Sequence, residues 1–305
     1  MGDGPLVILL HGFPGSWYTW RHQLPVLAKA GYRVVAPDMR GYGGTDKPEK
    51  IQDYQIDKLS ADISGIVDAM GEKSAFLVGH DWGGLVGWAA MLQYPEKFKA
   101  YVAMSVPYAG RMQESYVDTL KRAYGDKFYY VLYFQQEGVA EAELDQDPQG
   151  FLTRVYTSPD VPKEAPTLTN PRMDAGGLLP RIGVPKKLPD WLSKKDLDYF
   201  VSQFQGSGFR GPINYYRNFD RFFELSQELK EVKVAQPVLF IAGAEDPLIG
   251  GANEGQLNAM MSGGTKDLRQ VKLYPDVGHW VQQQVPDQVN VLMVEFLNGL
   301  NKKPR

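Results

Sequence analysis

Three residues bear most of the chemistry legible in this chain: Asp81 in VGHDWGG, Asp246 in AGAEDP and His279 in DVGHW. Asp81 occupies the middle of G-x-D-x-G, the frame of a strand-turn-helix elbow that in its G-x-S-x-G form presents a serine hydroxyl. An aspartate of ordinary pKa, about 3.9, is an anion at neutral pH and needs no base to become a nucleophile. Such a carboxylate suits attack on a saturated carbon bearing a leaving group, with an alkyl ester on the protein as the product. A histidine is then free for a second step. It takes a proton from water, which attacks the ester carbonyl, while an acid behind the imidazole orients it and stabilises its charged form. Read instead as a strand-end cap, Asp81 leaves the following Trp-Gly-Gly without a reason. Of the four histidines, His279 alone follows the last strand; His11 reads as a brace of the HGFP turn, His80 as packing behind the elbow, and His22 as part of a helix face. Glu245 and Asp276 compete with Asp246 for the acid. Asp38 and Arg40 in DMRGYGG read as a loop-bracing pair, and Ser105 is a strand-end hydroxyl with no elbow around it.

The elements that must position these groups alternate along the chain. Nearly unbroken apolar runs at Leu6 to Leu10, Tyr32 to Asp38, Ser74 to Asp81 and Lys99 to Pro107 predict strands buried on both faces. Helical spacing separates them at Ile56 to Met70 and Trp82 to Tyr94, the βαβ pattern of a parallel sheet. The same alternation returns at Pro237 to Asp246 and Gln270 to Trp280, before a final helix over Asp287 to Leu300. Asp81, Asp246 and His279 thus fall at or just past strand ends, where open α/β sheets bind ligands. Between the two blocks, roughly Tyr108 to Leu229, the pattern is helical with no convincing buried strand. Ten of the seventeen tyrosines lie there, so this insertion is apolar inside yet carries phenolic hydroxyls, most of them simply packing. The expected divisions are 1–107 and 230–305 for the core and 108–229 for the helical insertion. The NKKPR tail reads as a solvated end.

Composition narrows the partners. A chain of 305 residues with 43% hydrophobic content can bury a large core, and a formal charge of -3 creates no field to gather nucleic acid or an anionic membrane. Cysteine is absent, which removes disulfides, thiolate nucleophiles and thiolate metal sites. The opening MGDGPLVILLHGF has neither a basic leader nor an apolar run long enough for a signal peptide or membrane span, so a cytoplasmic protein is expected. The GYGG and GG elements lack the helix and lysine context of a phosphate cradle, so no nucleotide site is expected.

Nucleophile, acid and histidine follow in the order typical of the α/β-hydrolase fold. With HGFPGSWYTWRHQ (His11 to Gln23), DMRGYGGTDKP (Asp38 to Pro48), GHDWGG, LYFQQEGVAEAEL (Leu132 to Leu144), GFRGPINYYRN (Gly208 to Asn218) and DVGHW, the chain resembles the soluble epoxide hydrolases over nearly its whole length. The resemblance implies an α/β-hydrolase fold, a mostly parallel sheet flanked by helices with an inserted helical cap. It also implies conversion of an epoxide and water to a vicinal diol without metal or other cofactor. By the same resemblance Asp81 is the nucleophile, His279 the base and Asp246 its charge partner. The backbone N–H groups of Phe13 and Trp82 form the oxyanion hole, and Tyr215 and Trp280 line the substrate site. An epoxide oxygen leaves as a basic alkoxide and needs an acid, whereas a halide needs only weak donors. A tyrosine, protonated at neutral pH, supplies that proton. The family's two cap tyrosines match Tyr130 in YVLYFQ and Tyr216 in NYYRN, with Tyr129, Tyr133 and Tyr215 as close neighbours. Tyr215 stands where a tryptophan is common, and Pro14 follows a cis peptide in the family. The chain opens directly on a strand that in the family follows an earlier hairpin, which implies an exposed sheet edge. A small apolar epoxide is the expected substrate; a haloalkane or haloacid dehalogenase, or a non-catalytic ligand-binding homologue, are the alternatives.

Overall fold

The computed structural model describes residues 1–125, 127–157, 177–229 and 232–301. Residue 126 and the stretch 158–176 of the expected helical insertion, 230–231 at the start of the second core part and the tail at 302–305 lie outside the described residues. In chain order the strands are β1 (Leu6–Leu10), β2 (Arg33–Val35), β3 (Ala75–His80), β4 (Phe98–Met104), β5 (Val234–Gly243) and β6 (Thr265–Tyr274). The helices are α1 (Gln23–Lys29), α2 (Ile56–Ala69), α3 (Trp82–Gln93), α4 (Tyr116–Tyr124), α5 (Tyr130–Tyr133), α6 (Val139–Gln146), α7 (Pro148–Thr157), α8 (Lys194–Ser207), α9 (Arg210–Tyr216), α10 (Phe219–Glu228), α11 (Glu254–Met261), α12 (Val281–Gln284) and α13 (Pro286–Asn301).

The chain divides into two compact units. The first, Met1–Met39, Ile56–Arg111 and Ser226–Arg305, contains the sheet. Its six strands are all parallel, in the order β2-β1-β3-β4-β5-β6. Every residue of β1 and β3 is buried, as their continuous apolar runs require of strands covered on both faces. The core on one side is built from Val7, Leu9, Phe76, Val78, Val102 and Ile241 with Trp20, Val281 and Met293. From β1 the chain moves to β2 on one side, and from β3 to β4 on the other. The C-terminal ends of β1 and β3 therefore flank a topological switch point, where the loops diverge and leave a crevice.

The second unit, Arg40–Gln55 and Met112–Leu225, is helical, and among its described residues there is no strand. Its first segment, Arg40–Gln55, lies far from the rest in sequence and within the stretch expected to belong to the core. The sequence there is polar and glycine-rich, without a helical or strand period to assign it. Contacts attach it. Gly41 lies so close to Gly211 that a Cβ on Gly211 would fall 2.7 Å from the Gly41 Cα. The Tyr215 hydroxyl donates to the Arg40 carbonyl at 2.8 Å, and Asn218 Nδ2 donates to the Ile51 carbonyl at 2.7 Å. The helix α8 starts on a capping box in which the Ser193 hydroxyl accepts from Asp196 N, while the Asp196 carboxylate accepts from Ser193 N.

Candidate active site

Asp81 joins β3 to α3 and holds φ 55° and ψ -121°, a region costly for a residue with a Cβ. Flanking glycines let the elbow close that tightly. A Cβ on Gly79 would meet the Gly83 carbonyl at 2.3 Å, and one on Gly83 would meet the Leu10 carbonyl at 2.2 Å. The strained turn sets the carboxylate at the start of α3, whose positive dipole end favours an anion.

The loop after β1 comes to meet it across the switch point. Phe13 N donates to Asp81 Oδ1 at 2.7 Å. A Cβ on Gly12 would fall 2.3 Å from that same Oδ1 and 2.6 Å from Trp82 N, so this backbone approach is open to glycine alone. The Phe13 and Trp82 amides are thus both beside the Asp81 carboxylate. His11 braces the loop in the way its position predicts: Nδ1–H donates to the Gly12 carbonyl at 3.0 Å, and Nε2 accepts from Met39 N at 2.9 Å. That pattern needs a neutral ring, and burial pushes the His11 pKa down. The Phe13–Pro14 peptide is cis.

The other Asp81 oxygen, Oδ2, lies 3.6 Å from His279 Nε2, within ion-pair reach and long for a hydrogen bond. His279 Nδ1 donates to Asp246 Oδ2 at 3.0 Å. Of the three candidate acids only Asp246 stands behind the imidazole; Glu245 and Asp276 are exposed. The Asp246 side chain has no exposed surface, and its other oxygen accepts from Leu248 N at 2.9 Å. Burial works against its charge, yet the His279 charge and hydrogen bonds from His279, Ser105 and Leu248 hold its pKa below the ordinary value. For His279, burial alone would lower the pKa. The Asp246 carboxylate and then Asp81 outweigh it and raise the imidazole to about 10.

Two side chains hold His279 from behind. The His279 carbonyl accepts from His80 Nε2 at 2.7 Å and from the Ser105 hydroxyl at 3.3 Å. Burial and the neighbouring His279 charge lower the His80 pKa to about 4, so His80 is a neutral donor. Its ring centre lies 4.6 Å from that of His279 and 5.6 Å from that of Trp280, which in turn packs 4.8 Å from His279. Ser105, fully buried at the end of β4, has φ 67°. Its contact with the His279 carbonyl had no sign in the sequence beyond a hydroxyl at a strand end.

Within the helical unit Tyr130 on α5 and Tyr216 on α9 come together, with ring centres 5.9 Å apart at 76°. Tyr215 takes a different place. It is 1% exposed, its hydroxyl is committed to the Arg40 carbonyl, and its ring packs on Tyr42 and Tyr54 at 5.7 and 5.8 Å. Tyr129 stacks on Tyr124 at 4.3 Å, and the Tyr133 hydroxyl donates to Glu143 at 2.9 Å. Among the described residues no group of three His, Asp or Glu side chains is gathered to hold a metal ion, and no helix is long and apolar enough to cross a membrane.

The chain is similar to known proteins over nearly its whole length. Residues 5–284 match the model of the alpha/beta hydrolase fold family. The chain is 40% identical to Epoxide hydrolase A of Mycobacterium tuberculosis, over 97% of this chain and 91% of that one. It is 36% identical to Epoxide hydrolase 3 of Siraitia grosvenorii, over 98% and 93% of the two chains. The crystal structure of Epoxide Hydrolase A from Mycobacterium thermoresistibile superposes with a TM-score of 0.89 at 41% identity, covering 99% of this chain and 94% of the other.

Proposed function

The chain belongs to the epoxide hydrolases of the alpha/beta hydrolase fold family, and from that premise we propose that it adds water to a small apolar epoxide by way of an ester on Asp81. The observation that carries this is the nucleophile's two-sided setting: Oδ1 on the Phe13 amide, Oδ2 facing His279 Nε2, and Asp246 behind the imidazole. Oδ2 attacks an epoxide carbon, the carbon–oxygen bond breaks, and its electron pair goes to the epoxide oxygen. Tyr130 and Tyr216 donate hydrogen bonds and a proton to that oxygen. The ring-rich surroundings of these tyrosines, with Phe134 and Phe219 against Tyr216, favour an apolar substrate.

In the second half His279 takes a proton from water as the water oxygen attacks the Asp81 carbonyl carbon. Negative charge then develops on Oδ1, the oxygen already bonded to Phe13 N, with Trp82 N as the second donor. Collapse expels the diol oxygen, which takes the hydroxyl proton left on the intermediate, and this restores the carboxylate with His279 again an imidazolium. A base held at about 10 is an imidazolium at neutral pH. Ester formation removes the Asp81 charge 3.6 Å away and leaves a tyrosinate, so the imidazolium gives its proton back to the phenol and is neutral at the step that needs a base.

The test combines two variants. His279→Gln should trap the ester, seen as an added substrate mass on the peptide carrying Asp81 after exposure to an epoxide. Tyr130→Phe with Tyr216→Phe should abolish ring opening. A folded protein that forms no adduct with any of a panel of aryl and alkyl epoxides refutes the covalent route. Release of halide from haloalkanes that is indifferent to the tyrosine changes would indicate a dehalogenase instead.

A further inference from the structure

Tyr130 and Tyr216 belong to helices far apart in the chain, and two phenols can serve one epoxide oxygen only if their separation is fixed. Both helices are short: α5 spans four residues and α9 seven. Neither carries enough hydrogen bonds of its own to hold a ring in place.

What joins them is polar and buried. Gln135, just past α5, donates through Nε2 to the Val131 carbonyl of α5 at 2.8 Å and to the carbonyl of Tyr216 itself at 3.1 Å. Arg217, directly after Tyr216, is 4% exposed at its side chain. Its Nε donates to the Phe134 carbonyl at 2.9 Å, and Nη2 to the Gln136 carbonyl at 2.9 Å. Nη1 donates to Asn214 Oδ1 at 2.8 Å, and the two terminal nitrogens meet the Glu141 carboxylate at 2.5 and 3.0 Å. Between the helices the Phe134 ring, with no exposed surface, packs edgewise on Tyr130 at 5.6 Å and on Tyr216 at 5.0 Å.

A buried Arg–Glu pair is a weak way to gain stability, because desolvation offsets most of the attraction. A guanidinium fork is a strong way to fix direction, because its donors diverge at set angles. Resting on the donor roles proposed above for Tyr130 and Tyr216, we infer that Arg217 and Gln135 are positioning residues that set the separation of the two phenols and so govern ring opening. Ester hydrolysis, which depends on His279 and the Phe13 and Trp82 amides, is outside their control.

The experiment measures the two half-reactions separately, by rapid quench and intact-protein mass spectrometry during single turnovers of styrene oxide and of alkyl epoxides. Arg217→Lys keeps the charge facing Glu141 but loses the fork, and Gln135→Met removes the bridge without touching a charge. Each should slow ester formation by about 10- to 100-fold, the usual effect of misplacing a reacting group by about an ångström. Ester breakdown should stay within about 3-fold of the wild type. In a Tyr216→Phe background, which keeps one donor and so a measurable rate, the same changes should have little further effect, since no pair of phenols remains to be set apart. Equal slowing of both half-reactions, or effects that multiply fully with loss of the Tyr216 hydroxyl, would overturn the inference and leave a merely structural clamp. Should Arg217→Lys fail to fold, as judged by near-UV circular dichroism, Gln135→Met decides alone. Tyrosine removal without effect on ring opening would instead overturn the donor roles, and a wild type inert to every epoxide would overturn the proposed function; either takes the inference with it.

Discussion

Replacing Asp81 by asparagine isolates the effect that the proposed esterification would have on His279. In the resting protein burial lowers the His279 pKa, while Asp246 at 3.0 Å and Asp81 at 3.6 Å raise it, to about 10 in all. A unit charge at the observed 3.6 Å from Nε2 interacts with an imidazolium by roughly 1 kcal/mol in water and roughly 5 kcal/mol at an effective dielectric of about 20. His279 and Asp81 are 17% and 14% exposed at their side chains, between those limits. An attraction of about 3 kcal/mol corresponds to a pKa change of about 2. Asp246, closer and fully buried, retains its share. The variant should therefore bring His279 from about 10 to roughly 8, and the neutral fraction at pH 7 should rise about a hundredfold. Titration of the imidazole by nitrogen-15 NMR, assigned with His279→Gln, reads the value directly. His80, lowered to about 4, titrates in a separate pH range. A His279 that titrates within about 0.3 of the same value in both proteins would show that the nucleophile does not hold the base protonated, and would refute this account of when the base becomes available.

Three further outcomes are expected. Asp246→Asn should change how stability depends on pH. The folded His279 pKa lies above its ordinary 6.5, so the ion pair's contribution is full below pH 6.5 and is lost as pH rises toward 10. The Asp246 pKa lies below its ordinary 3.8, so the contribution also fades in acid as pH falls below 3.8. Urea unfolding should therefore show the widest gap between wild type and variant near pH 5 to 6 and a narrower one near pH 10, and a gap independent of pH would contradict it. Gly12→Ala puts a methyl 2.3 Å from Asp81 Oδ1, so ester formation should fall by at least about a hundredfold in single-turnover mass spectrometry. His80→Phe removes the 2.7 Å bond to the His279 carbonyl and should cost about 1 to 3 kcal/mol in urea unfolding at neutral pH, with a loss below about 0.5 kcal/mol counting against it.

Much of the core is legible because burial on both faces leaves a local mark. The apolar runs predicted for six strands each overlap an observed strand, and Ile56 to Met70 and Asp287 to Leu300 differ from α2 and α13 only at their ends. Arg40–Gln55 is the counterexample. Its place in the helical unit rests on Gly41 against Gly211 and on Tyr215 and Asn218 reaching back to its carbonyls, contacts with no periodicity to announce them. Tyr215 was expected at the substrate because of its position in NYYRN. Its hydroxyl is spent instead on bracing this segment.

By itself the sequence placed a carboxylate, Asp81, in an elbow between glycines whose commoner form carries a serine hydroxyl. It also determined that the nucleophile, the acids and the histidine fall at strand ends, because strand runs can be counted. Only the tertiary structure decided which acid stands 3.0 Å behind His279, that His80 and Ser105 grip its carbonyl, and that Tyr130 meets Tyr216. It also set the charges of Asp246 and Asp81 against burial, so that the His279 pKa lies above its ordinary value. These are distances and degrees of burial between residues remote in the chain. They depend on strand register, loop closure and the exclusion of water, which short-range patterns of residue type do not encode.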